Sequence, residues 1–120
     1  MKYYFYLLIL IISCKGNIET VDVSREEVMK IHDDAMARMG EISNAVSELS
    51  ELSKYNADSI KIRALIQDVE SAEEGMMVWM EQYKQPDSDL EVFYAKEKDK
   101  IEVVANDINK SLENAKKFMD

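Results

Sequence analysis

The stretch that decides the fold is Ile62–Glu91, which reads IRALIQDVESAEEGMMVWMEQYKQPDSDLE. Its apolar residues recur every three or four positions as far as Tyr83, and this is the spacing of one face of an α-helix. Pro86 then ends the helix, because proline has no backbone N–H and clashes with the preceding turn. Ser88 and Glu91 have the spacing of a capping box, a pair that satisfies orphan N–H groups where a helix begins. The stretch therefore predicts two helices joined by a short link.

The same helical spacing continues on both sides of this stretch. A second capping-box pattern at Ser24–Glu27 begins an earlier helix, Asn56 marks its end, and no segment alternates with period two. With two short links, we expect an all-α fold: an up-down-up antiparallel three-helix bundle over residues 24–120. The buried faces predicted for the three helices are Val28, Ile31, Ala35, Met39, Ile42, Val46, Leu49 and Leu52; Ile62, Leu65, Val69, Ala72, Met76, Trp79 or Met80, and Tyr83; and Leu90, Phe93 or Tyr94, Ile101, Val104, Ile108, Leu112, Ala115 and Phe118.

The first fourteen residues, MKYYFYLLILIISC, have the layout of a secretory signal. A lysine precedes a short apolar run, which at ten residues is well below the roughly 20 that span a bilayer. Residues 11–14, IISC, are similar to the lipobox of bacterial lipoproteins, in which cleavage falls just before a lipidated cysteine. That resemblance implies a signal peptide over residues 1–13, lipidation of Cys14 and a tether over residues 14–23. We therefore expect a lipid-anchored protein on the periplasmic or cell-surface face of a bacterial envelope membrane.

Composition argues against several classes of function. The chain has 15 basic and 24 acidic residues, for a net charge of −9, and no basic stripe with interleaved aromatics, so we expect no nucleic-acid partner. Three glycines form no phosphate-binding loop, and one histidine cannot supply the usual zinc ligands. A Ser–His–Asp arrangement built on His32 and Asp33 is disfavoured, because adjacent helix residues do not face each other. We therefore expect a protein that is not an enzyme.

Methionines gather around the only histidine and the only tryptophan, in the runs VMKIHDDAMARMG (residues 28–40) and GMMVWM (residues 75–80). In an antiparallel hairpin that bends near Asn56, His32 lies level with Met80, and Met36 with Met76. Thioether sulfur and imidazole suit Cu(I) and Ag(I), and a tryptophan face can add a cation–π contact. The candidate metal ligands are therefore His32, Met36, Met76 and Met80, with Trp79 and Glu97 around them.

The same residues also fit a plain helical core. Methionine is an adaptable core filler, and a buried histidine is usually paired with a carboxylate, here Glu97 or Asp33. In this second interpretation the methionine layer holds no metal and the protein needs no cofactor. The acidic doublets 33–34 and 73–74 are then solvated helix faces.

The segments HDDAMARMGEI, EEGMMVWMEQY and KIEVVANDINKSLENAKKF follow one another in this order. They resemble a group of small helical lipoproteins from Bacteroidetes-type bacteria, some of which are labelled "viral A-type inclusion protein". The resemblance depends on His32, Met36, Met39, Met76, Met77, Trp79 and Met80, and it implies no activity.

Two functional hypotheses follow from these observations. The first is a non-enzymatic helical bundle, anchored by its N-terminal lipid, that acts as an interaction module and pairs with other protein helices or with a second copy of itself. The second is an extracytoplasmic Cu(I)- or Ag(I)-binding lipoprotein that uses the methionine and histidine layer.

Overall fold

The computed structural model describes residues 23–120, so the predicted signal peptide, Cys14 and the tether up to residue 22 lie outside the described residues. Within residues 23–120 all regular secondary structure is α-helical, which confirms the all-α class. The helices are α1 (Arg25–Ala37), α2 (Met39–Ser53), α3 (Ser59–Gln82) and α4 (Leu90–Met119). Over this range no helix combines the length and apolarity needed to cross a bilayer.

The first predicted helix is divided at Arg38 into α1 and α2. The Arg38 backbone stays near the helical region (φ −89°, ψ −6°), and its N–H donates to the Ala35 carbonyl at 3.0 Å, so the break is one tight turn. Gly40, two residues later, weakens the helix at this point because glycine has poor helix propensity. No other group lies within 4 Å of where a Cβ would stand at Gly40 or Gly75, so these glycines do not mark a close helix approach.

Of the two predicted side-chain caps, the one at Ser24 is present and the one at Ser88 is not. The Ser24 hydroxyl caps α1 by accepting from the Glu27 N–H at 3.3 Å, as predicted. The prediction at Ser88 is wrong, because α4 begins one residue later, after Asp89, and has no side-chain capping bond. Asp89 takes the left-handed conformation (φ 57°, ψ 41°), which aspartate tolerates better than most residues. The chain therefore enters α4 through a backbone turn.

Most of the core comes from the predicted apolar faces. It also contains Ala45, which was not predicted, and the following predicted residues are only partly buried against it: Ile31, Met39, Val46, Leu52, Val104 and Phe118. The completely buried side chains include Val28, Leu49, Ile62, Val69, Met76, Ile101, Ile108, Leu112 and Ala115. Leu90 was predicted to be buried and is 37% exposed, because it is the first residue of α4 and extends past the packed part of the bundle. Two polar side chains, Glu97 and Ser111, are buried among the apolar ones.

Contacts with α4 show the direction in which each of the other helices runs along it. Glu27 on α1 lies 3.4 Å from Lys98, and Glu41 on α2 lies 2.7 Å from Lys116. Later residues of α1 and α2 therefore contact later residues of α4. From α3 the order is reversed, because Lys61 lies over the ring of Phe118, near the end of α4, whereas Trp79 bonds to α4 near its start. The beginning of α1 and the α2–α3 turn are therefore at opposite ends of the packed helices.

Candidate functional site

His32 lies on α1 with its side chain 19% exposed and both ring nitrogens engaged. Nδ1 lies 3.0 Å from the Asp33 carboxylate, and Nε2 lies 3.3 Å from the sulfur of Met80 on α3. The predicted pairing of His32 with Met80 across the two helices is therefore confirmed. The argument that adjacent residues cannot meet is wrong here, because the Asp33 side chain, 74% exposed, is free to bend back to the ring.

These two contacts restrict the chemistry of the imidazole. An ionised carboxylate only accepts hydrogen bonds, so Nδ1 must carry the proton that it donates to Asp33. In the tautomer with its proton on Nδ1, the Nε2 lone pair and the Met80 sulfur, 3.3 Å apart, are both ligands that a soft cation prefers.

Trp79 connects the histidine to a buried carboxylate. Its ring centroid is 5.6 Å from that of His32, and its indole N–H donates to Glu97 at 2.9 Å. The other Glu97 oxygen accepts from Lys100 at 3.3 Å, and the Glu97 side chain is only 8% exposed. Both oxygens of the buried carboxylate therefore have partners, as a charge in a core requires. Of the two carboxylates expected as partners of His32, Asp33 is the one that meets the ring, whereas Glu97 is bonded to the indole and Lys100.

A row of aromatic rings extends from Trp79 towards the start of α4. Successive centroid separations are 5.1 Å from Trp79 to Tyr83, 5.4 Å from Tyr83 to Phe93 and 5.4 Å from Phe93 to Tyr94. The Tyr83 hydroxyl oxygen is buried and has no hydrogen-bond partner among the described residues. Burial raises the pKa of this phenol above its ordinary value of 10.0, so the hydroxyl stays protonated at neutral pH.

The methionines divide between the site and the core. Met80 is the methionine whose sulfur meets the histidine ring, and it is partly buried. Met76 is completely buried in the core, and Met36 is half-buried against the same core. Direct contacts thus join His32, Met80, Trp79 and Glu97. Met36 and Met76, the two other predicted ligands, pack in or against the core.

Sequence reasoning missed Lys100 as a partner of Glu97, although a spacing of three residues on one helix is the signal that such pairs give. It also missed Arg38, which donates to Glu41 at 2.7 Å and to the side chain of Asn109 on α4. Among residues 23–120 no group of three or more His, Cys, Asp or Glu side chains is placed to hold a metal ion. His32 and Met80 form a pair of soft ligands within this range.

No protein-family model, curated protein or solved structure matches the chain.

Proposed function

We propose that the protein is a lipid-anchored, non-enzymatic module of the bacterial cell envelope that acts by contacting other proteins. Residues 1–13 are removed, Cys14 carries the lipid, and the tether leads into an up-down-up antiparallel three-helix bundle in which α1 and α2 form the first arm. The contacts with α4 support this arrangement, because they follow the residue order of α4 along α1 and α2 and the reverse order along α3. The anchor then lies at one end of the bundle, and the α2–α3 turn lies at the other.

Two large apolar side chains at that far end carry the interaction proposal. Tyr55 is 86% exposed and Ile60 is 80% exposed, the highest values among the large apolar side chains of residues 23–120. Tyr55 lies in the turn that follows α2, and Ile60 is the second residue of α3. Exposed apolar groups that gather at one place mark interaction surfaces more often than scattered ones do. A tether at the opposite end holds this surface away from the membrane.

A site-specific cross-linking experiment tests the interaction proposal. The photoreactive residue benzoylphenylalanine replaces Tyr55 in the full chain, produced in its native bacterium, and replaces exposed Glu70 on α3 in a matched control. We expect irradiation to give a discrete covalent adduct from position 55 and none from position 70. The absence of an adduct from position 55, or equal adducts from both positions, contradicts the proposal.

Two contacts of His32 favour a second candidate, a Cu(I)- or Ag(I)-binding lipoprotein. The Asp33 carboxylate lies 3.0 Å from Nδ1 of His32, and metal-binding histidines are commonly oriented by a carboxylate in this way. The separation of 3.3 Å between Nε2 and the Met80 sulfur is close to the roughly 3.5 Å expected across a tetrahedral ion with zinc-like bond lengths. Met36 and Met76, which pack in or against the same core, are the further sulfur ligands in this proposal, with Trp79 and Glu97 as proposed neighbours of the metal.

Anaerobic titration of the full chain with Cu(I) tests this candidate. If the site binds metal, about one equivalent should quench Trp79 fluorescence and raise the melting temperature, since a ligand that binds only the folded state stabilises it. His32→Ala, Met80→Leu and Met36→Leu should weaken both responses. Met77→Leu is the matched control, because Met77 neighbours the site in sequence but is 44% exposed. No Cu(I)-dependent change in fluorescence or melting eliminates the metal candidate.

A further inference from the structure

Two grooves of opposite charge flank the last turns of α4, at the end of the bundle that carries Tyr55. The first, here called the acidic groove, lies between α2 and α4, has a volume of 410 Å³, and is lined by Ser47, Glu48, Glu51, Leu52, Tyr55 and Met119. The second, the basic groove, lies between α3 and α4, has a volume of 540 Å³, and is lined by Lys61, Leu65, Asn114, Lys117 and Phe118.

The grooves are similar in construction and complementary in charge. Each has an apolar floor, and each includes one of the adjacent side chains Phe118 and Met119, so the two grooves lie at the same height on the bundle. Among the ion pairs of residues 23–120, neither Glu48 nor Lys117 has a partner, whereas Glu51 pairs with Lys54 at 2.8 Å. Unpaired charges beside an apolar floor are suited to a partner of opposite charge.

We propose that a second copy of this chain occupies these grooves, with the acidic groove of each copy facing the basic groove of the other. The inference rests on the proposed function and names the partner of its exposed end. Charge complementarity supports a second copy as the occupant. Carboxylates lie on one side of the end of α4 and ammonium groups lie on the other, so this surface is complementary to itself. A two-fold dimer requires this property, because the same patch serves both subunits.

The order of the charges also fixes the orientation of the dimer. If the two-fold axis runs along the helices, the acidic groove of each copy faces the basic groove of its partner. If the axis runs across the helices, like grooves face each other, and like-charge contacts disfavour association. The two copies are therefore parallel, and both tethers leave from the same end. A parallel dimer has both of its anchors in one membrane.

Charge-swap variants of the full chain, purified in detergent, test the proposal. Glu48→Lys with Glu51→Lys makes both grooves basic, and Lys61→Glu with Lys117→Glu makes both acidic. All four side chains are exposed, so both variants should retain the helical circular dichroism of the parent. By light scattering we expect the parent to be a dimer. Each double variant alone should dimerise at least about tenfold more weakly, and an equimolar mixture should form a one-to-one heterodimer.

Distances between spin labels test the orientation. In Cys14→Ser protein, a label on Lys96→Cys lies 21 residues before Lys117, or about 32 Å along α4. A parallel dimer leaves the two labels within about 40 Å, whereas an antiparallel one separates them by about 60 Å or more. The proposal is overturned if the parent is a monomer, if the variants dimerise like the parent, or if the mixture forms no heterodimer. A label separation of about 60 Å or more overturns the parallel arrangement. Because membrane anchoring is measured separately, a monomer that remains on the membrane contradicts this inference and not the anchor.

Discussion

Glu97 lies in the buried face of α4 between Tyr94 and Ile101, where the neighbouring core positions are apolar. A carboxylate there is tolerated because the Trp79 indole and Lys100 each bond to one of its oxygens. The contact also fixes the height of α3 against α4, because only one pair of positions brings the indole N–H to the carboxylate. Removing either partner from a buried charge costs more than the hydrogen bond itself contributes.

We therefore expect Trp79→Phe to lower the free energy of unfolding by about 1.5–3 kcal/mol, since it removes the donor to a buried charge. Glu97→Gln is the matched comparison, because its amide oxygen still accepts from the indole, and it should cost less. Urea unfolding followed by circular dichroism measures both variants. If Trp79→Phe unfolds at the same urea concentration as the parent protein, the buried pair does not stabilise the fold.

Glu41 gives the molecule a defined dependence on pH. Hydrogen bonds from Arg38 and then from Lys116 lower the pKa of this carboxyl from 4.5 to about 2. A group whose pKa is lower in the folded state contributes stability above its unfolded pKa, and the contribution disappears as pH falls from about 4.5 through about 2.

Glu41→Gln should accordingly be less stable than the parent at pH 7, and the two proteins should converge as pH approaches 2. Urea unfolding midpoints measured across this range check the prediction. A difference between the two proteins that stays constant from pH 7 to pH 2 shows that the ionised carboxylate is not responsible for it.

At the scale of the elements, α3 contains a glycine for which the structure provides no steric reason. Gly75 lies in the interior of the helix, and no other group lies within 4 Å of the position that a Cβ would take. Gly75→Ala should therefore stabilise the protein by about 0.5–1 kcal/mol, because alanine loses less backbone entropy in a helix. Thermal melting checks the result, and a lower melting temperature for Gly75→Ala would mean that the glycine has a packing role.

Helical periodicity is the part of the structure that the sequence predicts well. The stripes through Ile62, Val69 and Ile101 are buried because each helix has one apolar face, and a face can be read from spacing alone. The helix ends are less predictable, as Ser88 demonstrates, because a backbone turn at Asp89 competes with the side-chain cap. Individual contacts are least predictable: the choice of Trp79 over His32 as the partner of Glu97 depends on rotamers and on helix rotation, which spacing does not encode.

At the scale of the whole molecule, the candidate features lie at two separate ends. His32 lies in the second half of α1, beside Met80 and Trp79 near the end of α3, whereas Tyr55 and the two grooves are at the end of the bundle that holds the α2–α3 turn. We therefore expect the proposed metal binding and the proposed protein contacts to be independent, so that variants at one site leave the other unchanged.

Both ends acquire their proposed roles from the anchor, so lipidation of Cys14 is the central claim to test. The most direct measurement is the intact mass of the protein recovered from the membrane fraction, for the parent and for Cys14→Ala. We predict that the parent lacks residues 1–13 and carries the added mass of acyl chains, and that Cys14→Ala is neither cleaved at that site nor acylated. A parent chain that retains residues 1–13, or one without acyl mass, would contradict the account.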